Sequence, residues 1–272
     1  MSGYPPELAR LTSPASPGPR LPYGDAPEQF GELWPTPGGP VVVLLHGGFW
    51  RERYRLDIMN ALAADLQQRG YSVWNLEYRR ADSPGGGWPG TFEDISAGVA
   101  ALAALAGPEP HGLDLSAMTV IGHSAGGHLG LWLAAGGRTG SRSPGHPSPA
   151  LTIGLAPVSD LVLAHRLGLS ADAAAGLLGC TPDEDPARYR EASPLALLPL
   201  GGRHVIVHGT ADDAVPFAMS AGYAAAARAA ADPCDLLELP GAGHLELIDP
   251  ASGAWRAVLE RLPVPGRTGR AE

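Results

Sequence analysis

The chain contains no lysine: all 19 residues in its Lys+Arg count are arginines. Schiff-base catalysis, Ser–Lys dyads and P-loop phosphate binding each need a side-chain amine, so this absence excludes all three. Cysteine is nearly as scarce. Cys180 and Cys234 lie far apart and form no C-x-x-C, which reads as two reduced thiols rather than a disulfide or a metal site. No apolar run approaches the roughly eighteen residues of a membrane span. The opening "MSGYPPELARLTSPASPGPRLP" lacks the apolar stretch of a secretory signal. The expectation is a cytoplasmic protein with no membrane partner. A formal net charge of −9 and the lack of a basic patch argue against nucleic acid. No H-E-x-x-H and no Cys/His cluster appears, so neither metal nor cofactor is expected.

What is present suits a globular fold. With 44 % hydrophobic residues in 272, the chain can fill one large α/β domain or two small ones. Residues 1–22 are proline-rich with little periodicity and are expected to be a mostly irregular arm. "EQFGELW" (28–34) alternates weakly, as a first edge strand would. "VVVLL" (41–45) is a short β-branched apolar run of the kind found in buried parallel strands. Leu56, Ile58, Met59, Leu62, Ala63 and Leu66 then recur at helical spacing until Gly70. Strands are expected at 71–78, 118–122, 150–156, 204–208 and 235–239. Helices are expected from a Thr91–Asp94 capping box to about Ala106, after residue 124 to about Ala135, over 217–231, and around Trp255 and Val258.

This alternation argues a mostly parallel sheet covered on both faces by helices. The interval 157–203 is too long for a simple crossover and is expected to hold a small helical lid over one end of the sheet. Residues 136–149 and 263–272 are rich in Gly, Pro, Ser and Arg and read as mobile.

Three motifs fall at strand ends, where ligands bind in such sheets. In "TVIGHSAGGHLGLW" (119–132), Gly122-x-Ser124-x-Gly126 joins a strand to a helix through a turn too sharp for bulky neighbours. The result is an exposed hydroxyl before a helix N-terminus, the nucleophile elbow G-x-S-x-G. In "LLHGGFWR" (44–51), the amides of Gly48 and Phe49, with that of Ala125, are positioned to form an oxyanion hole. "HGTADDAVP" (208–216) offers an acid: Asp212 is preferred, with Asp213 and then Asp160 as alternatives.

Of nine histidines, His244 in "LPGAGHLELIDP" (239–250) is the best base by position. His111 and His146 read as surface residues and His165 as part of the lid. His204 and His208 read as structural, His123 as packed under the elbow, and His46 as a tie between loops. His128 sits on a helix running away from the site. Trp50 and Trp88 together are candidates to line an aryl-accepting pocket. Arg51, Arg79 and Arg80 are candidates to hold a substrate carboxylate.

The order Ser124, Asp212, His244 is that of an α/β-hydrolase. From about residue 23 to 262 the chain resembles the α/β-hydrolase superfamily. "HGGFWR", "GHSAGGH", "HGTADD" and "GAGHLELIDP" resemble its arylformamidase (kynurenine formamidase)-like esterase/amidase branch. The arm before Tyr23 departs from the pattern. The resemblance implies an α/β-hydrolase fold and a serine hydrolase of small esters or amides, N-formyl anilides such as N-formylkynurenine among them. A general carboxylesterase is the alternative, and a peptidase or a non-catalytic binding protein ranks behind it. The sequence leaves the oligomeric state open.

Overall fold

The computed structural model of the chain describes residues 4–12, 18–106, 113–136, 148–232 and 234–265. Eight strands form one sheet in the order β1-β2-β4-β3-β5-β6-β7-β8. They are β1 (Arg20–Pro22), β2 (Phe30–Trp34), β3 (Pro40–Leu45), β4 (Ser72–Leu76), β5 (Asp114–His123), β6 (Leu151–Leu155), β7 (Arg203–Gly209) and β8 (Cys234–Leu239). The β1–β2 and β2–β4 pairings are antiparallel and every other pairing is parallel. The helices in chain order are α1 (Pro6–Ala9), α2 (Asn60–Gln68), α3 (Gly90–Ala100), α4 (Leu102–Leu105) and α5 (Ala125–Ala134). They continue with α6 (Leu161–Arg166), α7 (Leu169–Leu178), α8 (Pro186–Ala192), α9 (Phe217–Ala229) and α10 (Gly253–Leu259). This is an α/β-hydrolase fold.

Strand β3 shows why the sheet is central. All six of its residues are buried. Its side chains alternate: Val41, Val43 and Leu45 join the core under α3, α5 and α9, and Val42 and Leu44 join the core under α2 and α10. A period of two with apolar residues on both faces is what a strand between two helical layers requires. The aromatics divide likewise. Trp74, Phe92, Trp132 and Tyr189 fill one layer, Trp34 and Trp255 the other.

Register brings the loops that follow the strands to one edge. Leu45 pairs with Gly122, His123 with Leu155, Leu155 with Val207, and Gly209 with Leu239. The segments beginning at His46, Ser124, Ala156, Thr210 and Pro240 therefore leave the sheet side by side.

Several expectations change. The 28–34 segment is a strand, but β1 lies outside it, so β2 is not the edge. Thr91 and Asp94 do not form a capping box. Thr91 Oγ1 donates to the Arg79 carbonyl, and Asp94 takes a two-pronged contact from the Arg79 guanidinium, because the long-range partner outcompetes the local one. The first described residues are not loose either. Leu8 and Leu11 are buried in the α2/α10 layer, and the Ala61 amide donates to the Leu11 carbonyl at 3.1 Å. The apolar pair in "ELARL" is short enough to hide among prolines, which is why periodicity gave no signal. Three helices, α6 to α8, occupy the interval between β6 and β7. Most of 136–149 and 263–272, with His111 and His146, lies outside the described residues.

The first turn of α5 packs directly on the end of β3. A Cβ at Gly126 would sit 2.1 Å from the Leu45 carbonyl oxygen and 2.5 Å from that of His46. Backbone cannot yield as a side chain can. Gly126→Ala is expected to lose about 1–3 kcal/mol of stability in urea unfolding; an unchanged midpoint would show that this contact is slack.

Candidate active site

Ser124 joins β5 to α5 with φ 55° and ψ −115°, a backbone conformation that residues with a Cβ rarely adopt. Three hydrogen bonds hold it there. Its amide donates to Leu155 O at 2.8 Å, and its carbonyl accepts from His128 N at 3.0 Å and Val158 N at 3.3 Å. Glycine is needed all round. A Cβ at Gly122 would lie 2.1 Å from Gly126 O, and one at Gly47 would lie 3.1 Å from Ser124 Cβ. The Ser124 side chain is buried, and its hydroxyl makes no hydrogen bond within the described residues.

His244 follows β8 and Asp212 follows β7. Asp212 Oδ2 lies 2.7 Å from His244 Nδ1, so the ring donates to the carboxylate from that nitrogen. His208 adds a second contact to Oδ2, from Nε2 at 3.2 Å, while the same Nε2 faces Val215 O at 3.0 Å. Both of these partners are acceptors, so His208 Nε2 carries a proton and its Nδ1 meets Ser220 Oγ at 2.7 Å. The Ala214 and Val215 amides donate to Asp212 Oδ1 at 2.9 and 2.8 Å. Burial is the largest influence and pushes the Asp212 carboxyl up. Hydrogen bonds from His208 and His244, the His244 charge and the Val215 amide outweigh it and hold the acid well below the usual carboxylate range.

The loop after β3 turns through three left-handed residues, Gly48 (φ 110°), Phe49 (φ 52°) and Trp50 (φ 56°). The amides of Gly48 and Phe49 make no hydrogen bond within the described residues. The Ala125 amide is the first of α5 and has no intrahelical acceptor. A buried network holds the loop from behind. His46 faces Gly47 O from Nδ1 (2.8 Å) and Glu77 Oε1 from Nε2 (3.0 Å), and the Tyr78 hydroxyl donates to His46 O at 2.8 Å. The Arg80 guanidinium also donates to Glu77 Oε1, and the Leu56 amide donates to Oε2. Against the upward push of burial, the His46 charge and hydrogen bond hold Glu77 below its ordinary range.

Ser124, His244, Gly48, Phe49 and His123 line one cavity of about 280 Å³, together with Tyr54, Ile58, Leu245, Asp213 and the N-terminal Pro5, Glu7 and Leu8. Of the sequence candidates, Ser124, His244, Gly48 and Phe49 thus come together, with Asp212 behind the histidine. Asp213 lines the cavity but makes no hydrogen bond or ion pair with His244. Asp160 caps α6, accepting from the Leu163 amide at 3.0 Å.

Trp50 and Trp88 do not line this cavity. Trp50 is buried edge-on to His128, drawn into the core by its large apolar ring, and the half-buried Trp88 packs edge-on to Phe92 at the core's margin. Phe49 and Tyr54 are the aromatics present instead. The arginines are also occupied: Arg79 by Asp94, Arg80 by Glu77, and Arg51 by the Ser170 carbonyl. Burial and the His244 charge hold His123 well below the ordinary histidine range, and its Nε2 faces His244 O at 3.2 Å.

Sequence reading missed Glu77, His208 and the N-terminal wall. The first two carried a signal, since Glu77 directly follows β4 at the site's edge and His208 stands four residues before Asp212. Among the described residues no group of three or more His, Cys, Asp or Glu side chains is placed to hold a metal ion, and no helix is long and apolar enough to cross a membrane.

A strained serine at a strand–helix elbow, backed by a carboxylate–imidazole pair on an eight-stranded sheet, defines the α/β-hydrolase class. Residues 35–226 match the BD-FAE family, and the chain belongs to it. It is 28 % identical over 265 residues to "Esterase LipC" of Mycobacterium tuberculosis (strain ATCC 25618 / H37Rv), covering 85 % of this chain and 60 % of that protein. It is 25 % identical over 258 residues to "Esterase LipQ" of the same organism, covering 86 % and 60 %. The chain thus spans about 60 % of the length of the curated relatives it matches. Among solved structures it is similar to esterase B from Lactobacillus rhamnosis (HN001), with TM-score 0.76, 21 % identity, and 94 % and 88 % of the two chains covered. It is also similar to a truncated carbohydrate esterase from gut microbiota, with TM-score 0.74, 18 % identity, and 91 % and 95 % covered.

Because the Asp212 carboxyl is held below its unfolded value, it stabilises the fold above about pH 4, and that contribution is lost as the pH falls further. Urea unfolding of wild type and Asp212→Asn between pH 7 and pH 3 should show an acid limb that is steeper in wild type. Equal slopes would mean that Asp212 is not held ionised by its neighbours.

Proposed function

We propose that the chain is a serine carboxylesterase acting on small esters. Ser124 is the nucleophile, His244 the general base and Asp212 the acid that orients the ring. The observation that carries this reading is the 2.7 Å Asp212–His244 contact at a cavity shared with Ser124. Within the described residues the Ser124 hydroxyl has no hydrogen-bond partner, which leaves it ready to take one up to His244 Nε2 once substrate is in place.

The chemistry follows in two steps. His244 takes the Ser124 proton as the oxygen attacks the ester carbonyl. The amides of Gly48, Phe49 and Ala125 hold the oxyanion, each donor worth about 3–4 kcal/mol of barrier in comparable sites. The imidazolium, stabilised by Asp212, then protonates the departing alcohol, and water repeats the sequence on the acyl-enzyme. The esterase names of the M. tuberculosis relatives support the choice of ester over amide. The cavity, about 280 Å³, favours short acyl groups. An arylformamidase would use the same machinery, and that second reading rests on the motif resemblance. Among the described residues no arginine lines the cavity to hold the carboxylate of N-formylkynurenine.

Two measurements test the proposal. Ser124→Ala should lower kcat on p-nitrophenyl acetate by at least about 10⁴-fold, and Asp212→Asn by about 10³–10⁴-fold, with folding unchanged by circular dichroism. Retained turnover in the alanine variant would mean that another residue attacks. Across a panel, acetate and butyrate esters should be cleaved at least about tenfold faster than decanoate esters or N-formylkynurenine. A preference for the formyl anilide would favour the second reading.

A further inference from the structure

The N-terminal segment forms one wall of the catalytic cavity, and two carboxylates lining that cavity have no partner among the described residues. Pro5, Glu7 and Leu8 line the space that holds Ser124 and His244. The segment is fastened at several points. The Tyr4 ring stacks on Tyr54 with centroids 6.0 Å apart and planes 3° from parallel. The Tyr4 hydroxyl donates to Asp57 Oδ1 at 2.9 Å and accepts from the Arg55 amide at 3.2 Å. Leu8 and Leu11 are buried beside Ile58, and Asn60 Nδ2 reaches Thr12 O. Residues this firmly seated define the shape and charge of the space they face.

That charge is negative. Glu7 on the arm and Asp213 on the loop after β7 both line the cavity, and neither carboxylate takes part in a hydrogen bond or ion pair within the described residues. The nearby cation does not neutralise Glu7. Arg10 donates from Nε to the Glu7 carbonyl at 3.2 Å, while its guanidinium pairs with Asp249 at 2.8 Å. No arginine lines the cavity among the described residues, and the nucleophile within it is buried and without a hydrogen-bond partner.

We infer that Glu7 and Asp213 select substrates by charge, so that the enzyme favours esters with a cationic group near the scissile bond and disfavours anionic ones. The inference rests on the esterase reading and names the substrate class of the same site. Glu7 and Asp213 are both exposed, so they act from the open rim of the cavity, where unpaired carboxylates raise the local concentration of a cationic ester and lower that of an anion, most strongly at low ionic strength. His244 also becomes cationic during the reaction, and the same field stabilises it.

The test uses three acetate esters of one shape: phenyl acetate, 3-(trimethylammonio)phenyl acetate and 3-acetoxybenzoate. Rates at low ionic strength are divided by those of alkaline hydrolysis to remove intrinsic reactivity. Wild type should show a cation-to-anion ratio of kcat/KM above about tenfold, falling as salt is added. Glu7→Gln and Asp213→Asn should each reduce that ratio by roughly threefold or more, and Glu7→Arg further still. Should Glu7→Arg unseat the arm, the near-isosteric Glu7→Gln still reports. Hydrolysis with ratios unchanged in all three variants overturns the inference alone. Failure of wild type to cleave any of the three esters overturns the esterase reading, and the inference with it.

Discussion

The site depends on a place where no Cβ fits. The end of β3, the end of β5 and the first turn of α5 approach so closely that Gly47, Gly122 and Gly126 each face backbone or Ser124 itself. That closeness forces Ser124 to φ 55° and keeps it there, at a cost of about 1–3 kcal/mol that the three backbone hydrogen bonds to Leu155, His128 and Val158 help to offset. A strained residue persists only where its surroundings leave it no alternative. Here the surroundings are two parallel strands and a helix, all held by their own backbone hydrogen bonds.

Around that fixed point the structure uses buried carboxylates twice, in the same manner. Asp212 gathers His208, His244 and two loop amides after β7 and β8. Glu77 gathers His46, Arg80 and the amides of Leu56 and Tyr78 after β3 and β4. Each acid carries charge into an apolar interior, and each is met by several donors, which is the condition for such burial. One organises the imidazole, the other the loop bearing the Gly48 and Phe49 amides. Removing either carboxylate would leave donors unmet on one side of the cavity.

Much of this was legible from residues alone. The apolar runs ending at Leu45, Gly122 and His208 mark parallel strands because strands buried on both faces leave no polar alternation. The G-x-S-x-G spacing marks the elbow because only small residues survive the close approach at Gly122 and Gly126. The contributions of Trp50, Trp88 and the arginines were misread for one reason. Motif position says which loop a residue occupies, but not whether its side chain turns inward. Trp50 directly follows Gly48 and Phe49 in the loop after β3, yet its left-handed backbone carries its ring into the core. Arg79 finds a carboxylate on α3, fifteen residues away in sequence, which no local pattern reveals. The arm was illegible because its grip on the domain consists of Tyr4, Leu8 and Leu11, three side chains without a repeating period.

The most direct measurement is the mass-spectrometric location of a phosphonate adduct. A p-nitrophenyl alkylphosphonate offered to the folded protein should modify one residue, Ser124, and release one equivalent of nitrophenol. His244→Ala should slow that release by orders of magnitude. An adduct on any other residue, or labelling at the wild-type rate without the imidazole, would contradict the claim that these side chains act together on one substrate.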